Sequence, residues 1–258
     1  RTEREGLSRV VRAFRYLFSL LARFVFWLRY DVHVEGREEL GGLARTLILP
    51  NHPAYIDPPL VLSAMWETFE PRPLLFVGTF QNPVLFWIPR LLRALEIPNL
   101  EQHSAEARGQ AERAIAGVVE SLRSGENVIL WPSGHVQRGG GVESLGAARS
   151  VAEILRQVPD ANVVGVRTRG LSGSIFSYAR TGTKPRLVPL LFKGLGLLLA
   201  NLVFFTPRRR VNMTLRRFRP EELPERTREA LNPFLEQWYN EPGPEQPVHV
   251  PYHFLFGA

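Results

Sequence analysis

The sequence predicts an α/β protein: a two-layer sheet with flanking helices, preceded by an N-terminal amphipathic helix. Three observations carry this. Apolar runs of strand length alternate with stretches at helical spacing. The chain of 258 residues is 45% hydrophobic and 22% charged, which suffices for a core and is too apolar for a disordered chain. No repeat at a period of roughly 20–50 residues runs through it, so solenoids and propellers are excluded.

The first element is Leu7 to Tyr30, where Leu, Phe, Val and Trp are mixed with Arg9, Arg12, Arg15, Arg23 and Arg29. Its longest uncharged run, Tyr16 to Ala22, is far short of the ~20 residues that cross a bilayer. Residues 1–30 are therefore expected to form an interfacial helix with snorkelling Arg stems, a helix packed on the core being the other reading. Residues 31–258 are expected to form the α/β domain. Its strands are expected at Asp31–Glu35, Thr46–Pro50, Leu74–Gly78, Asn127–Trp131, Val163–Arg169 and Val211–Arg217. Helices are expected at Pro59–Glu70, Pro83–Leu95, Ala105–Arg123, Ser144–Gln157 and Pro224–Tyr239. Ser104 can cap the third of these, Gly125 sits just past its end, and Pro159 stops the next. Leu187 to Thr206 is a second apolar stretch, interrupted by Lys193 and weakened by Pro189, Gly194, Gly196 and Asn201. It reads as interfacial or re-entrant, with Arg208–Arg210 at headgroup level. The proline-bearing tail reads as an extended arm laid on the body.

Composition narrows the function. The absence of cysteine excludes disulfides, iron–sulfur clusters and thiol catalysis. The net charge is +7, and apart from Lys184 and Lys193 every basic residue is Arg, whose fork suits phosphate and carboxylate. Arg208–Arg210, Arg216, Arg217 and Arg219 come with no nucleic-acid recognition motif, so no nucleic-acid partner is expected. Beside the apolar segments they favour a peripheral protein on the cytoplasmic membrane face. We expect no signal peptide. His249 and His253 are separated by Pro251 and have no ligand cluster near them, so no metal is expected.

The strand Thr46–Pro50 runs into Asn51-His52-Pro53-Ala54-Tyr55-Ile56-Asp57-Pro58-Pro59. Sites in open α/β sheets collect beyond strand C-termini. Pro53 keeps His52 extended, and Pro58-Pro59 suit a first helical turn. An offset of five residues puts His52 and Asp57 on one face of neither a helix nor a strand. They meet only if the chain turns back between them. Asp57 would then hold one ring nitrogen and leave the other as a general base. Alternatively, Asp57 only caps the following helix.

This block resembles the HX4D block of the phospholipid and glycerol acyltransferase superfamily. The resemblance implies that His52 activates a glycerol-type hydroxyl and that Asp57 orients and charge-stabilises His52. The hydroxyl would attack an acyl thioester of coenzyme A or acyl-carrier protein, with no resident cofactor. A second block, Pro132-Ser133-Gly134-His135-Val136-Gln137-Arg138, is similar to the family's Phe-Pro-Glu-Gly-Thr-Arg, with Ser133 in place of Glu and the Arg displaced to Arg138. Ser133, Gly134 and Arg138, with Gly139 to Gly141, would form an acceptor or anion site; a surface loop is the other reading. No clean match to the family's Gly–Arg block lies in Leu91–Gln102, where Arg90 and Arg93 are substitutes. In Val163–Gly170, Gly165 stands where the family has Pro. Arg167 and Arg169 there share one strand face and can hold phosphate or carboxylate, unless that face is a solvated strand edge. The likeness spans roughly Asp31 to Arg169 and is nearest to acyltransferase regions fused to bacterial acyl-activating ligases.

The expected function is O-acyl transfer to a lysophospholipid or glycerophosphate-type acceptor. The expected partners are a lipid surface, the acyl thioester, and a carrier protein or fused acyl-activating domain. A non-catalytic membrane-binding module is the alternative. A serine hydrolase at Ser133 would need Gly-x-Ser-x-Gly, and Trp131-Pro132-Ser133-Gly134-His135 has neither glycine in place.

Overall fold

Strand β2 (Thr46–Pro50) is buried at every position, and the sheet is built outward from it. In this computed structural model, residues 2–76, 80–83, 86–97, 105–138 and 141–254 are described. Helix α1 (Thr2–Trp27) leads into edge strand β1 (Tyr30–Glu35). After β2 come α2 (Asp57–Phe69), β3 (Arg72–Phe76), α3 (Trp87–Leu91) and β4 (Leu95–Ile97). Then follow α4 (Ala105–Arg123), β5 (Val128–Ile129), α5 (Ser150–Gln157) and β6 (Asn162–Arg169). The chain continues through α6 (Tyr178–Thr181), α7 (Leu187–Ala200), β7 (Arg209–Phe218) and α8 (Arg228–Asn240).

The seven strands lie in the order β1-β7-β6-β2-β5-β3-β4. Every pairing is parallel except β6 with β7, so the sheet is mixed. The pleat sends alternate side chains to opposite faces. Ile48 joins Leu60, Val61, Met65 and Phe69 of α2. Leu47 and Leu49 join Val118 and Leu122 of α4, Ile154 of α5, and Leu235 and Trp238 of α8. The flanking helices of the expected α/β class thus cover both faces. Each fully buried Leu or Ile contributes roughly 1.5–3 kcal/mol. At Gly165 the α8 side packs so closely that a Cβ would lie 2.6 Å from Trp238 Cζ3, which leaves room for glycine alone.

Several boundaries differ from expectation, each for a local reason. Arg93 has φ +53 and ends α3, and the freed chain pairs with β3 as β4. Strand β5 is only two residues long because a turn beginning at Trp131 takes over. Gly146, at φ +52, holds the chain out of helix until Ser150. Helix α8 starts at Arg228 after extended Thr227. The Val77–Gly78 end of the third expected strand, part of Pro83–Leu95, and Ser104 lie outside the described residues.

Helix α1 packs outside α2 and α3: Arg23 pairs with Glu67, Phe18 meets Trp87 edge-on at 5.5 Å, and Arg15 Nε donates to the Leu91 carbonyl at 2.7 Å. Its outer face leaves Phe14, Leu17 and Leu21 57–62% exposed. Helix α7 buries none of its residues, and Phe192, Leu199, Phe204 and Phe205 on it and its following turn are 60–67% exposed. Among the described residues no helix is long and apolar enough to cross a membrane.

Residues 241–254 run as an extended arm with no strand partner. Fully buried Arg209 donates to the carbonyls of Gly170 (2.8 Å), Ser172 (3.2 Å) and Val248 (2.8 Å). Arg29 donates to those of Pro251 (3.0 Å) and Val250 (3.3 Å). Asn201, just past α7, donates to the Tyr252 carbonyl (2.7 Å) and accepts from the Phe254 N–H (3.0 Å).

Candidate active site

The loop leaving β2 is fastened at successive residues. Asn51 continues the ladder beyond Pro50: its side-chain amide donates to the Thr168 carbonyl (3.0 Å) and accepts from the Thr168 N–H (2.7 Å). The His52 carbonyl accepts from Gln137 N–H at 2.8 Å, and the His52 N–H donates to Glu143 Oε2 at 3.1 Å. Tyr55 N–H is bound by the Phe176 carbonyl at 3.0 Å. Between these anchors the chain turns back, and Asp57 N–H reaches the Ala54 carbonyl at 3.1 Å.

The turn brings His52 Nδ1 to Asp57 Oδ2 at 2.7 Å. Asp57 is the first residue of α2; its N-cap is Ile56, so a purely capping role does not describe it. The other carboxylate oxygen accepts from the Trp131 indole N–H at 3.0 Å, and Ala54 N–H adds a long contact of 3.5 Å. Asp57 is wholly buried. Burial pushes its carboxyl above the ordinary value, while the imidazole, the Ala54 N–H and the indole pull it back toward the anion. Its place in the first turn of α2 also favours negative charge. With Nδ1–H donated to Asp57, the tautomer leaves Nε2 with a lone pair, able to take a proton.

His52 opens on a cleft of about 620 Å³. Tyr55 and Trp131 line it beside His52, Gly134 and Lys184 also line it, and the remainder is mostly hydrocarbon from α1, α2, β3, β4 and α7. That volume is within the usual span of ligand sites. The arrangement can therefore deprotonate a small polar group held in a mostly apolar cleft.

The other expected residues are dispersed. Ser133 is buried, and its hydroxyl donates to the His135 carbonyl at 2.9 Å. Gly134, at φ +66, lines the cleft, but its N–H is taken by the Trp131 carbonyl at 3.1 Å. Arg138 is exposed, one residue beyond Gln137. Gly139 and Gly140 lie outside the described residues. Arg167 and Arg169 do share a face, but it lies under α8, across the sheet from α2. Arg167 donates to the Trp238 carbonyl (2.6 Å) and pairs with Glu241 (2.8 Å), and Arg169 donates to the Gly243 carbonyl (2.7 Å). Both hold α8 and the arm, and the structure brings neither to His52. The reason is the pleat: Thr168, between them, is the residue that faces Asn51.

Two residues that carry the geometry were missed from the sequence. Trp131 stood in view as the last apolar residue of a strand, and a buried indole N–H needs an acceptor. Glu143 had no comparable signal. It is 2% exposed, and burial pushes its carboxyl up.

Residues 31–169, more than half of the chain, match the family model described as Acyltransferase. Among solved structures, the crystal structure of the 1-acyl-sn-glycerophosphate (LPA) acyltransferase, PlsC, from Thermotoga maritima is similar. The TM-score is 0.63 at 19% identity, over 91% of this chain and 80% of that one. At that identity the likeness is one of fold. Taken with the family match, which contains His52, Asp57 and the turn at Trp131, it shows that the chain belongs to the acyltransferase family and is an acyl-transferring enzyme.

Proposed function

We propose that the chain moves a fatty acyl group from an acyl thioester, of coenzyme A or acyl-carrier protein, to the hydroxyl of a lysophospholipid or glycerophosphate-type acceptor. The observation that carries this is the bond from His52 Nδ1 to buried Asp57 at 2.7 Å, on an imidazole that opens into an apolar cleft. His52 Nε2 takes the proton of the acceptor hydroxyl as its oxygen attacks the thioester carbonyl. Asp57 stabilises the imidazolium that forms. The tetrahedral adduct collapses, the C–S bond breaks, and the imidazolium returns the proton to the thiolate. The thioester supplies the activated acyl group, so no resident cofactor or metal enters the step.

The hydrocarbon lining suits the acyl chain, and exposed Arg138 is the cation we assign to an anionic acceptor headgroup. The exposed apolar faces of α1 and α7 support a seat on a lipid surface, with Arg208 and Arg210 nearby for anionic headgroups. Because thioester donors are made in the cytoplasm, we place the protein on the cytoplasmic face.

The test is radiolabelled acyl-coenzyme A or acyl-carrier protein with a panel of lysophospholipids, wild type beside His52→Ala. A lost general base costs roughly 100- to 10,000-fold in rate. Vesicle binding should stay unchanged in His52→Ala. Transfer at near-normal rate in that variant overturns the mechanism, and vesicle binding without transfer from any donor overturns the activity.

A further inference from the structure

The loop from Gly170 to Ser177, between β6 and α6, is buried from Leu171 onward. A buried loop needs partners for its main-chain polar groups. Some are its own: Ser174 N–H donates to the Leu171 carbonyl and Ser177 N–H to the Ser174 carbonyl, each at 3.1 Å, and Gly173 N–H donates to Ser177 Oγ at 3.0 Å. The arm supplies others. Gly170 N–H and Ser172 N–H donate to Glu245 Oε1 at 2.7 and 3.2 Å, and Val248 N–H donates to the Ser172 carbonyl at 3.1 Å. The Tyr252 hydroxyl accepts from the Ile175 N–H at 3.0 Å. Tyr252 is itself held. The guanidinium carbons of Arg29 and Arg180 stand 4.6 and 5.1 Å from its ring centroid, and Asn201 Nδ2 donates to its carbonyl at 2.7 Å.

The same loop holds the active-site turn. The Phe176 carbonyl accepts from the Tyr55 N–H at 3.0 Å. Tyr55 lies within the turn that joins His52 to Asp57, and its ring centroid is 6.3 Å from the imidazole and 6.4 Å from the ring of Tyr178. The path from the Tyr252 hydroxyl to that turn therefore runs through one hydrogen bond, the adjacent residues Ile175 and Phe176, and a second hydrogen bond. The described residues that line the His52 cleft do not include Tyr252.

We propose that Tyr252 is a positioning residue for the base: by holding Ile175 it keeps the Phe176 carbonyl on Tyr55, and so keeps the turn that brings His52 to Asp57. The proposal rests on the reading of His52 as that base. A buried N–H that loses its acceptor shifts to find another. Without the hydroxyl, Ile175 moves and carries the Phe176 carbonyl off Tyr55. The turn that sets His52 Nδ1 at 2.7 Å from Asp57 then loses an anchor.

The experiment compares wild type, Tyr252→Phe and, as a control, Arg167→Ala, whose lost bonds lie under α8. Tyr252→Phe keeps the ring against Arg29 and Arg180 and removes only the acceptor. A reacting group misplaced by about 1 Å costs on the order of 100-fold, so Tyr252→Phe should lose roughly 10- to 100-fold in kcat. KM should change little, because the cleft wall is intact. Amide hydrogen exchange at Tyr55 should quicken by about tenfold as its acceptor loosens. Arg167→Ala, although less stable, should keep its kcat and its Tyr55 exchange rate. Wild-type kcat in Tyr252→Phe, an unchanged Tyr55 exchange rate there, or an equal loss of kcat in Arg167→Ala overturns the proposal. His52→Ala separates the two readings. If it transfers normally, the base assignment falls; if it is inactive while Tyr252→Phe keeps its kcat, only the role of Tyr252 falls.

Discussion

Trp131→Phe removes one hydrogen bond and leaves the rest of the site in place. The indole N–H lies 3.0 Å from Asp57 Oδ1, while His52 and Ala54 both address Oδ2. Phenylalanine keeps an aromatic ring in the cleft wall but leaves Oδ1, in a side chain with no exposure, without a donor. Stranding a buried charged acceptor costs about 1.5–3 kcal/mol. The urea midpoint should fall accordingly, with an unchanged slope. The indole is one of the groups that pull the Asp57 carboxyl toward its anion, so its loss pushes that carboxyl further up. Less of Asp57 is then ionised at neutral pH. The pH optimum of kcat should move upward, and the rate at pH 7 should drop about tenfold, since each 1.4 kcal/mol is a factor of about ten. The assays are urea unfolding by tryptophan fluorescence and steady-state acyl transfer across pH. A variant with wild-type midpoint and wild-type pH profile would show that the indole does not hold Asp57.

Gly165→Ala drives a methyl group into Trp238 and should lower stability by about 1–3 kcal/mol in urea titrations. KM should stay as in wild type, because the clash is under α8. Arg167→Ala should lower the thermal midpoint through the lost bonds to Trp238 and Glu241, while KM for the acceptor stays constant; a raised acceptor KM would restore the phosphate-binding role expected from sequence. Paired Phe192→Asp and Phe204→Asp changes, both on exposed rings, should weaken sedimentation with anionic vesicles more than about tenfold; unchanged sedimentation would remove α7 from the lipid contact. The Glu143 carboxyl is raised from its ordinary 4.5, so its contribution to stability is complete below that pH and is lost as pH rises through the higher folded value. Urea midpoints should decline with that slope, and Glu143→Gln should reduce it; the burial of Asp57 acts with the same sign and leaves the remainder.

The parts legible in the sequence were those governed by local chemistry. The apolar run Thr46–Pro50 and the helical spacing of Ala105–Arg123 match their elements at both ends. The meeting of His52 and Asp57 was legible as a conditional, because prolines on either side of the intervening residues restrict the backbone to a turn. What was not legible depended on neighbours far along the chain. Strand β4 exists because β3 offers a free edge to Leu95–Ile97, the first of which was expected to end a helix. That Arg167 and Arg169 share a face followed from strand alternation; that α8 and the arm occupy this face did not. Glu143 reaches His52 across 91 residues of chain, and nothing in its immediate sequence points there.

The arm also bears on why arginine prevails in this chain. Running outside any sheet, 241–254 has carbonyls that no neighbouring strand satisfies, and the guanidinium forks of Arg29, to Val250 and Pro251, and of Arg209, to Val248, take over that task. Lysine, a point donor on a floppy stem, could not bridge several carbonyls in fixed directions. The same stretch grips the end of α1 through Arg29 and the end of α7 through Asn201. The two greasy helices are thereby tied to one ribbon of main chain, and a lysine at position 29 would loosen its hold beside α1.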